Sequence, residues 1–552
     1  MKCTGLLYLL MLFIVPAQAQ FTQSFTRYDS LRGSLTSART CYDVVFYDLN
    51  LRVEPKERTI KGYNTIYYKT TADFNRLQVD LFRNMQISRI LHHSEELKFE
   101  RDSNAVFIKF PQIQKEGIID SISIYYEGKP IIAANPPWDG GFSWEKDETG
   151  KDWIAVSCEG IGASLWWPNK DHLSDEPDSM RISCEVPTGL MCVGNGNLRS
   201  TTNLNDGYSK YSWFVSYPIN NYNVSLNIAS YTHFSDTYTA QDGEKLALDY
   251  YVLPYNENKA RKQFGQVKPM LACYEKLFGK YPFWKDGFAL VETPYLGMEH
   301  QSAVAYGNNY LPGYAGQDLS GTGIGLSFDY LIIHESGHEY WGNSVSAQDH
   351  AEMWIHESFC TYTEGLYLEC MQNKEAAAKY IVGLRKAIEN REPIIAPLQV
   401  NASGSSDMYF KGANVLHTLR NVIDNDKLWF EIIYGIAQEF KIKNTNTQEI
   451  VAFINAKTGK DYTYFFNQYL RHAEIPVLEY RLKPQGKKLT LEYKWTANVA
   501  DFKMPVKIDM GNGKWITLTP TSQWQTLTQI GNANKFAVAM DLFYIQTKKA
   551  AN

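Results

Sequence analysis

The hydrophobic period of this chain changes twice, and that change constrains its fold more than any other feature. From residue 40 to about 235, apolar residues alternate with polar ones. Leu49, Leu51 and Val53 are interleaved with Asn50, Arg52 and Glu54, and Ile122, Ile124 and Tyr126 with Ser121, Ser123 and Tyr125. A period of two puts one strand face in a core and the other in water. Gly62 and Gly128 read as turns between short strands, so this part is predicted to be all-β. Near residue 237 the period lengthens. A strand-like segment over 246–253 leads into helical stretches around 259–278, 327–343 and 353–370. Further helices run from about 411 to 471, where Val415, Leu416, Leu419, Val422 and Ile423 share a face. From Pro476 the period of two returns in Leu489, Leu491, Tyr493 and Trp495, and Gly511-Asn512-Gly513 reads as a hairpin turn.

At 552 residues the chain is too long for one hydrophobic core. The predicted fold class is therefore multidomain α+β. An N-terminal β domain covers 20–236, a mostly helical domain 237–475, and a small C-terminal β-sandwich 476–552. Two segments interrupt the helical part: 313–325, with five glycines, and the small polar run 401–407. Each fits either a mobile loop over a site or an ordinary connection.

Residues 1–19 have the pattern of a signal peptide. Lys2 is basic, 6–15 is an apolar run too short to span a bilayer, and Ala17-Gln18-Ala19 offers small residues at a cleavage point. The mature chain is expected to be exported, to the periplasm or the extracellular space, with no membrane span. A formal net charge of -5 gives no footprint for nucleic acid. Of eight cysteines Cys3 falls in the leader; the other seven form no CxxC pair, which excludes a zinc-thiolate centre and leaves room for one or two disulfides.

The chemistry concentrates in His334-Glu335-Ser336-Gly337-His338. Positions i and i+4 of a helix are about 40° apart around the axis, so both imidazoles leave one face and reach one zinc. Glu335, one step round, is placed to take a proton from the attacking water. A catalytic zinc needs a third protein ligand and an open position. After eighteen intervening residues comes Glu357, on a second predicted helix that brings it to the metal if the two run antiparallel. Glu364, two turns further on the same face, suits either a carboxylate that orients a ligand or a surface ion pair. Asp349, His350 and His356 match no second metal site and read as local hydrogen-bonding residues.

These motifs resemble those of the zinc aminopeptidases related to aminopeptidase N and leukotriene hydrolase. The resemblance rests on 334–338, Trp341-Gly342-Asn343 and 354–364, on Gly297-Met298-Glu299-His300 upstream and Tyr409-Phe410-Lys411-Gly412-Ala413 downstream, and on Cys158-Glu159-Gly160 ahead of Trp167-Pro168. It implies a thermolysin-like zinc catalytic domain over 237–475 and one zinc per chain, held by His334, His338 and Glu357. It also implies Glu335 as base and Tyr409 as donor to the oxyanion. Gly297, Met298, Glu299 and Glu159 would line the subsite for the free α-amine of peptide substrates. Leu296 and His300 depart from the family's exopeptidase motif. A protonated His300 would repel the substrate cation, which gives activity that rises with pH. A His300 that widens or distorts the amine subsite would favour the alternatives of an endopeptidase or a tripeptide-releasing enzyme. From a different class, the same scaffold fits a non-catalytic peptide-binding protein.

Overall fold

The computed structural model describes residues 24–551; the leader expected at 1–19 lies outside the described residues. Strand Tyr42–Glu54 is central to an eight-stranded sheet. It pairs antiparallel with Thr59–Thr70 and parallel with Ser179–Pro187. Leu49, Leu51 and Val53 face inward, as do Ile122, Ile124 and Tyr126 from the strand Ile119–Gly128. A three-stranded and a four-stranded sheet share the core with the large one.

The strands are long, and this corrects one reading of the glycines. Gly62 is no turn: it lies inside Thr59–Thr70 opposite Leu51, where a Cβ would sit 2.0 Å from the carbonyl of Asn50. Close backbone approach and chain reversal both select glycine, and the sequence does not separate them. Gly128 closes its strand as expected.

A five-stranded sheet, in the order 232–239, 245–252, 288–292, 304–306 and 297–298, joins the β-rich part to the helices. Its first strand, Thr232–Thr239, runs across the expected division at 236/237. One face of this sheet, through Leu248, Tyr250 and Leu290, packs on the helical core. The other, through Tyr251, Ala289 and Val291, packs on the N-terminal core. Its strand Gly297–Met298 delivers the Gly297-Met298-Glu299 segment to the seam between the two. Four helices build the far side of the seam: Val267–Phe278, Tyr330–Gly337, Trp354–Met371 and Asp407–Ile423. A disulfide joins Cys273 of the first to Cys370 of the third. At the C-terminal end a four-stranded and a three-stranded sheet enclose Leu489, Leu491, Trp495 and Ile508. The strands flanking Gly511-Asn512-Gly513 form a hairpin closed by Asp509, which accepts from three amides of the turn.

Among the described residues no helix is long and apolar enough to cross a membrane.

Candidate metal and peptide site

The motif helix, Tyr330–Gly337, begins at Asp329, whose carboxylate caps it by accepting from the amides of Leu331 and Ile332. Gln263, Tyr306 and Asn308 donate to the same carboxylate and fix it. Leu331, Ile332 and Ile333 bury the helix in the core, so the direction of His334 is set by packing. His338 follows at the helix C-terminus with backbone angles still helical. On the helix Trp354–Met371, Glu364 sits against His334, Cys360 against Gly337 and Glu357 against His338. The descending order means that the two helices run antiparallel, as the ligand spacing requires.

The three expected ligands converge. The Nε2 atoms of His334 and His338 are 3.3 Å apart, and each is 3.5 Å from Oε2 of Glu357. Ligands about 2.0–2.1 Å from a tetrahedral ion stand about 3.3–3.4 Å from one another. The outer nitrogens are occupied: Nδ1 of His334 meets Glu364 Oε1 at 2.7 Å, and Nδ1 of His338 meets the carbonyl of Trp341 at 2.9 Å. Those acceptors keep the proton on Nδ1 and turn both Nε2 lone pairs inward. Glu357 Oε2 is buried and has no hydrogen-bond donor. Two lone pairs and a carboxylate oxygen that face one another without a donor fit a divalent cation, and the donor set of two imidazoles and a carboxylate fits zinc. Burial disfavours charge on His334, while the Glu357 and Glu364 carboxylates favour positive charge beside them, whether a proton or a cation. The centre thus favours positive charge.

The other sequence-predicted residues gather round this triad. Glu335, Glu299 and His338 present atoms within 4.8 Å of one another. Burial raises the Glu335 carboxyl, the two imidazoles pull it back, and its pKa stands at about 7, where a base is effective near neutral pH. Gly297 has a reason here: a Cβ would lie 2.2 Å from Leu331 Cδ1 and 3.2 Å from Glu335 Oε1. Met298 is buried beside it. Glu299 accepts from Tyr222 Oη at 3.2 Å, and Asn343 holds its backbone carbonyl. Glu159 reaches in from the β-rich part, its carboxylate within 4.8 Å of those of Glu299 and Glu357. Burial first, and then the neighbouring carboxylates, raise the pKa of Glu159. This cluster gains from a cation placed between its members.

Tyr409 stacks on His334 with ring centroids 6.2 Å apart. Burial and then the nearby carboxylates hold its hydroxyl well above the usual range, so it keeps a proton to donate. Lys411 anchors that turn of helix by donating to the carbonyls of Ala473 and His472. Glu364 is no surface ion pair: it is fully buried, and Tyr380 donates to its second oxygen. His334, Glu335, His338, Glu357, Gly297, Met298, Glu299, Glu159 and Tyr409 border one cavity of about 500 Å³, with Pro137, Trp138, Tyr314, Leu319 and Phe410 on its walls. Tyr314 and Leu319 come from the glycine-bearing segment 313–325, and Ser403 and Ser406 from 401–407, so both interrupting segments reach the site.

His300 corrects an expectation. Its imidazole is fully buried, neither nitrogen has a hydrogen-bond partner among the described residues, and burial lowers its pKa to about 3. It is neutral at physiological pH and cannot repel a substrate cation. Asp349 caps a short turn and His356 Nε2 accepts from the amide of Ala347, local roles as expected. His350 borders the cavity. The sequence did not point to Tyr222 and Tyr380, which meet their carboxylates from distant elements with no local pattern. Asp329 was detectable, as an acidic residue immediately before an apolar helical run.

Two imidazoles and a carboxylate that converge in this way are a donor set that fits a zinc ion. Residues 263–469 match the model of the peptidase family M1 domain. Among similar proteins, "Aminopeptidase 2" of Candida albicans is 19% identical over 450 residues, 78% of this chain and 47% of the relative. "Probable aminopeptidase 1" of Sulfurisphaera tokodaii is 21% identical over 502 residues, 86% of this chain and 58% of the relative. The chain thus spans about half the length of the curated relatives it matches. A solved M1 zinc metallopeptidase from Deinococcus radiodurans, a variant bound to a Tyr-Ser-Ala substrate, superposes with a TM-score of 0.64. At 19% identity, over 78% of this chain and 94% of that one, the likeness establishes the fold.

Proposed function

We propose that this protein is an exported, zinc-dependent aminopeptidase that removes N-terminal residues from peptides, with one zinc held by His334, His338 and Glu357. The observation that carries the reading is the approach of the Glu159 and Glu299 carboxylates to the ligand Glu357, within 4.8 Å, in the same cavity. A free α-amine is cationic near neutral pH. Bound between Glu159 and Glu299, it relieves their mutual repulsion and sets the first peptide bond beside the metal ligands. When bound, zinc supplies the Lewis acid that polarises the carbonyl and makes water a nucleophile at neutral pH. Glu335 takes the proton of that water and returns it to the leaving amine. Tyr409 donates to the oxyanion, and Glu364 and the Trp341 carbonyl keep the imidazoles oriented.

Export is supported by the pattern of residues 1–19 and by the Cys273–Cys370 disulfide, which suits an oxidising compartment. The divisions at 236/237 and 475/476 belong to the same proposal. The endopeptidase and tripeptide-releasing alternatives rest on a His300 that widens or distorts the amine subsite, and cleavage of blocked peptides is what separates them from the aminopeptidase reading. The test is a panel of free and N-acetylated peptides assayed with and without chelator. Chelator-sensitive cleavage of the first bond, strongly favouring the free peptides, is expected. Equal cleavage of both would reject the aminopeptidase reading.

A further inference from the structure

The described chain begins with a short helix, Arg27–Gly33, far in sequence from every motif above. It lies between two walls of the peptide cavity. On one side is the loop that carries Glu159. Arg32 is buried there, and its Nη1 donates to the carbonyl of Gly160, the next residue, at 2.9 Å. The same guanidinium is 3.4 Å from Asp171, which also accepts from the amide and hydroxyl of Ser164. The loop closes on this pair: at Gly162, with φ +98°, a Cβ would lie 2.3 Å from Asp171 Oδ2 and 2.4 Å from Arg32 Nη2. On the other side is the segment that leads to Ser403, Ser406 and Tyr409. Gly33 packs so closely that a Cβ would sit 2.3 Å from Val400 and 2.5 Å from Asn401. The amide of Asn401 donates to Asp29, and the hydroxyl of Ser34 to Gln399. Phe25 packs beside Ala351, Ala396 and Ala402.

Glu159 is the least buried of the three clustered carboxylates. It sits on a loop, and its carboxylate lies within 4.8 Å of two others that repel it. Repulsion of that kind turns a loop carboxylate outward unless its backbone is held. Among the described contacts, the charged side chain that grips this backbone is Arg32. We propose that Arg32 is a positioning residue for the amine subsite: through the Gly160 carbonyl and Asp171 it holds Glu159 facing Glu299, and the strap formed by residues 25–34 ties that loop to the 399–409 wall. The inference rests on the aminopeptidase reading above and deepens it, since binding of the substrate's terminal amine then depends on the first residues after the expected cleavage point.

Arg32→Lys tests this. Lysine keeps a cation beside Asp171 but lacks the planar fork that also reaches Gly160. The variant is expected to raise KM for a free tripeptide by on the order of tenfold, the loss of one charge-assisted hydrogen bond. It should leave kcat, zinc content and the KM of the N-acetylated tripeptide where they were. Gly33→Ala, which displaces the strap from its other side, should give the same selective rise. In a Glu159→Ala background Arg32→Lys should add nothing, because its effect passes through Glu159. Parallel losses on free and acetylated peptides, or a full additional loss in the Glu159→Ala background, would make Arg32 merely structural and overturn the proposal. A wild-type protein with no preference for the free peptide overturns the amine-site reading and this inference with it. A preference intact in both strap variants overturns this inference alone.

Discussion

At the scale of single residues, proton positions decide what the site does. Glu335 and Tyr409 are the two groups with protons to exchange at the reacting bond. Glu335→Gln keeps the shape of the side chain but cannot accept the proton of water. It should retain zinc by elemental analysis and lose turnover, and near-native kcat in that variant would remove Glu335 as the base. Tyr409→Phe removes a hydrogen bond formed mainly in the transition state. A fall in kcat of about 10²–10³-fold with little change in KM is expected; a change in KM alone would make Tyr409 a binding residue. His300 gives the pH prediction. Burial lowers its pKa to about 3, so it is neutral throughout the working range and no proton leaves it between pH 5 and 9. His300→Asn should therefore leave the shape of the kcat/KM profile unchanged over that range. A limb that disappears in the variant would show that the imidazole does titrate there. That His334 and His338 share a face was legible in the sequence because helical spacing is local: three residues lie between them whatever the rest of the chain does. The state of His300 was not, since its charge depends on burial, and burial is set by elements far away in the chain.

At the scale of elements, the site depends on how closely two helices cross. Gly412, on the helix that carries Tyr409, packs on Ser358, the neighbour of Glu357; a Cβ there would lie 1.8 Å from Ser358 Oγ. Ser358 Oγ also donates to the carbonyl of Met408. Gly412→Ala must push the helices apart, and Tyr409 and Glu357 ride on them. The expected cost is about 1–3 kcal/mol of stability, typical of overpacking, together with a loss of kcat larger than the rise in KM. A denaturation curve and steady-state kinetics on one preparation check both, and an unaltered midpoint would mean that the crossing has slack. Most helices were readable from hydrophobic period, but the helices Lys374–Gly383 and Arg27–Gly33 were not. The turn at Gly511-Asn512-Gly513 was readable too, because its residues and its reversal are adjacent. The misreading of Gly62 has a physical origin in the same scale: inside a strand, a glycine imposed by the Asn50 carbonyl looks identical to one imposed by a turn. The partnership of Arg32 with Gly160 spans 128 positions, and no local pattern announces a contact of that range.

At the scale of the whole molecule, the cavity is made where two hydrophobic cores meet, and the sheet at 232–306 shares its two faces between them. His334, His338 and Glu357 nevertheless all sit in the helical part, and one covalent link encloses them. Cys273 and Cys370 are 97 positions apart, so the loop they close contains His334, His338 and Glu357. Closing a loop of that length removes much of the freedom of the unfolded chain. The chain-entropy account gives up to about 4.7 kcal/mol, and measured values usually fall near 2–4. The folded site gains little from the link, because packed helices and buried hydrogen bonds already orient each ligand. Replacing both cysteines by serine should therefore lower stability by about 2–4 kcal/mol while leaving zinc content and kcat at 25 °C close to wild type. Non-reducing peptide mapping should find Cys273 joined to Cys370. Cys41, Cys158, Cys184, Cys192 and Cys360 are buried thiols and should resist alkylation until the protein is unfolded. If the double serine variant unfolds at the same denaturant concentration as wild type, the loop is already restrained in the unfolded chain. If zinc is lost as well, the link positions the ligands directly, and packing alone does not hold the site.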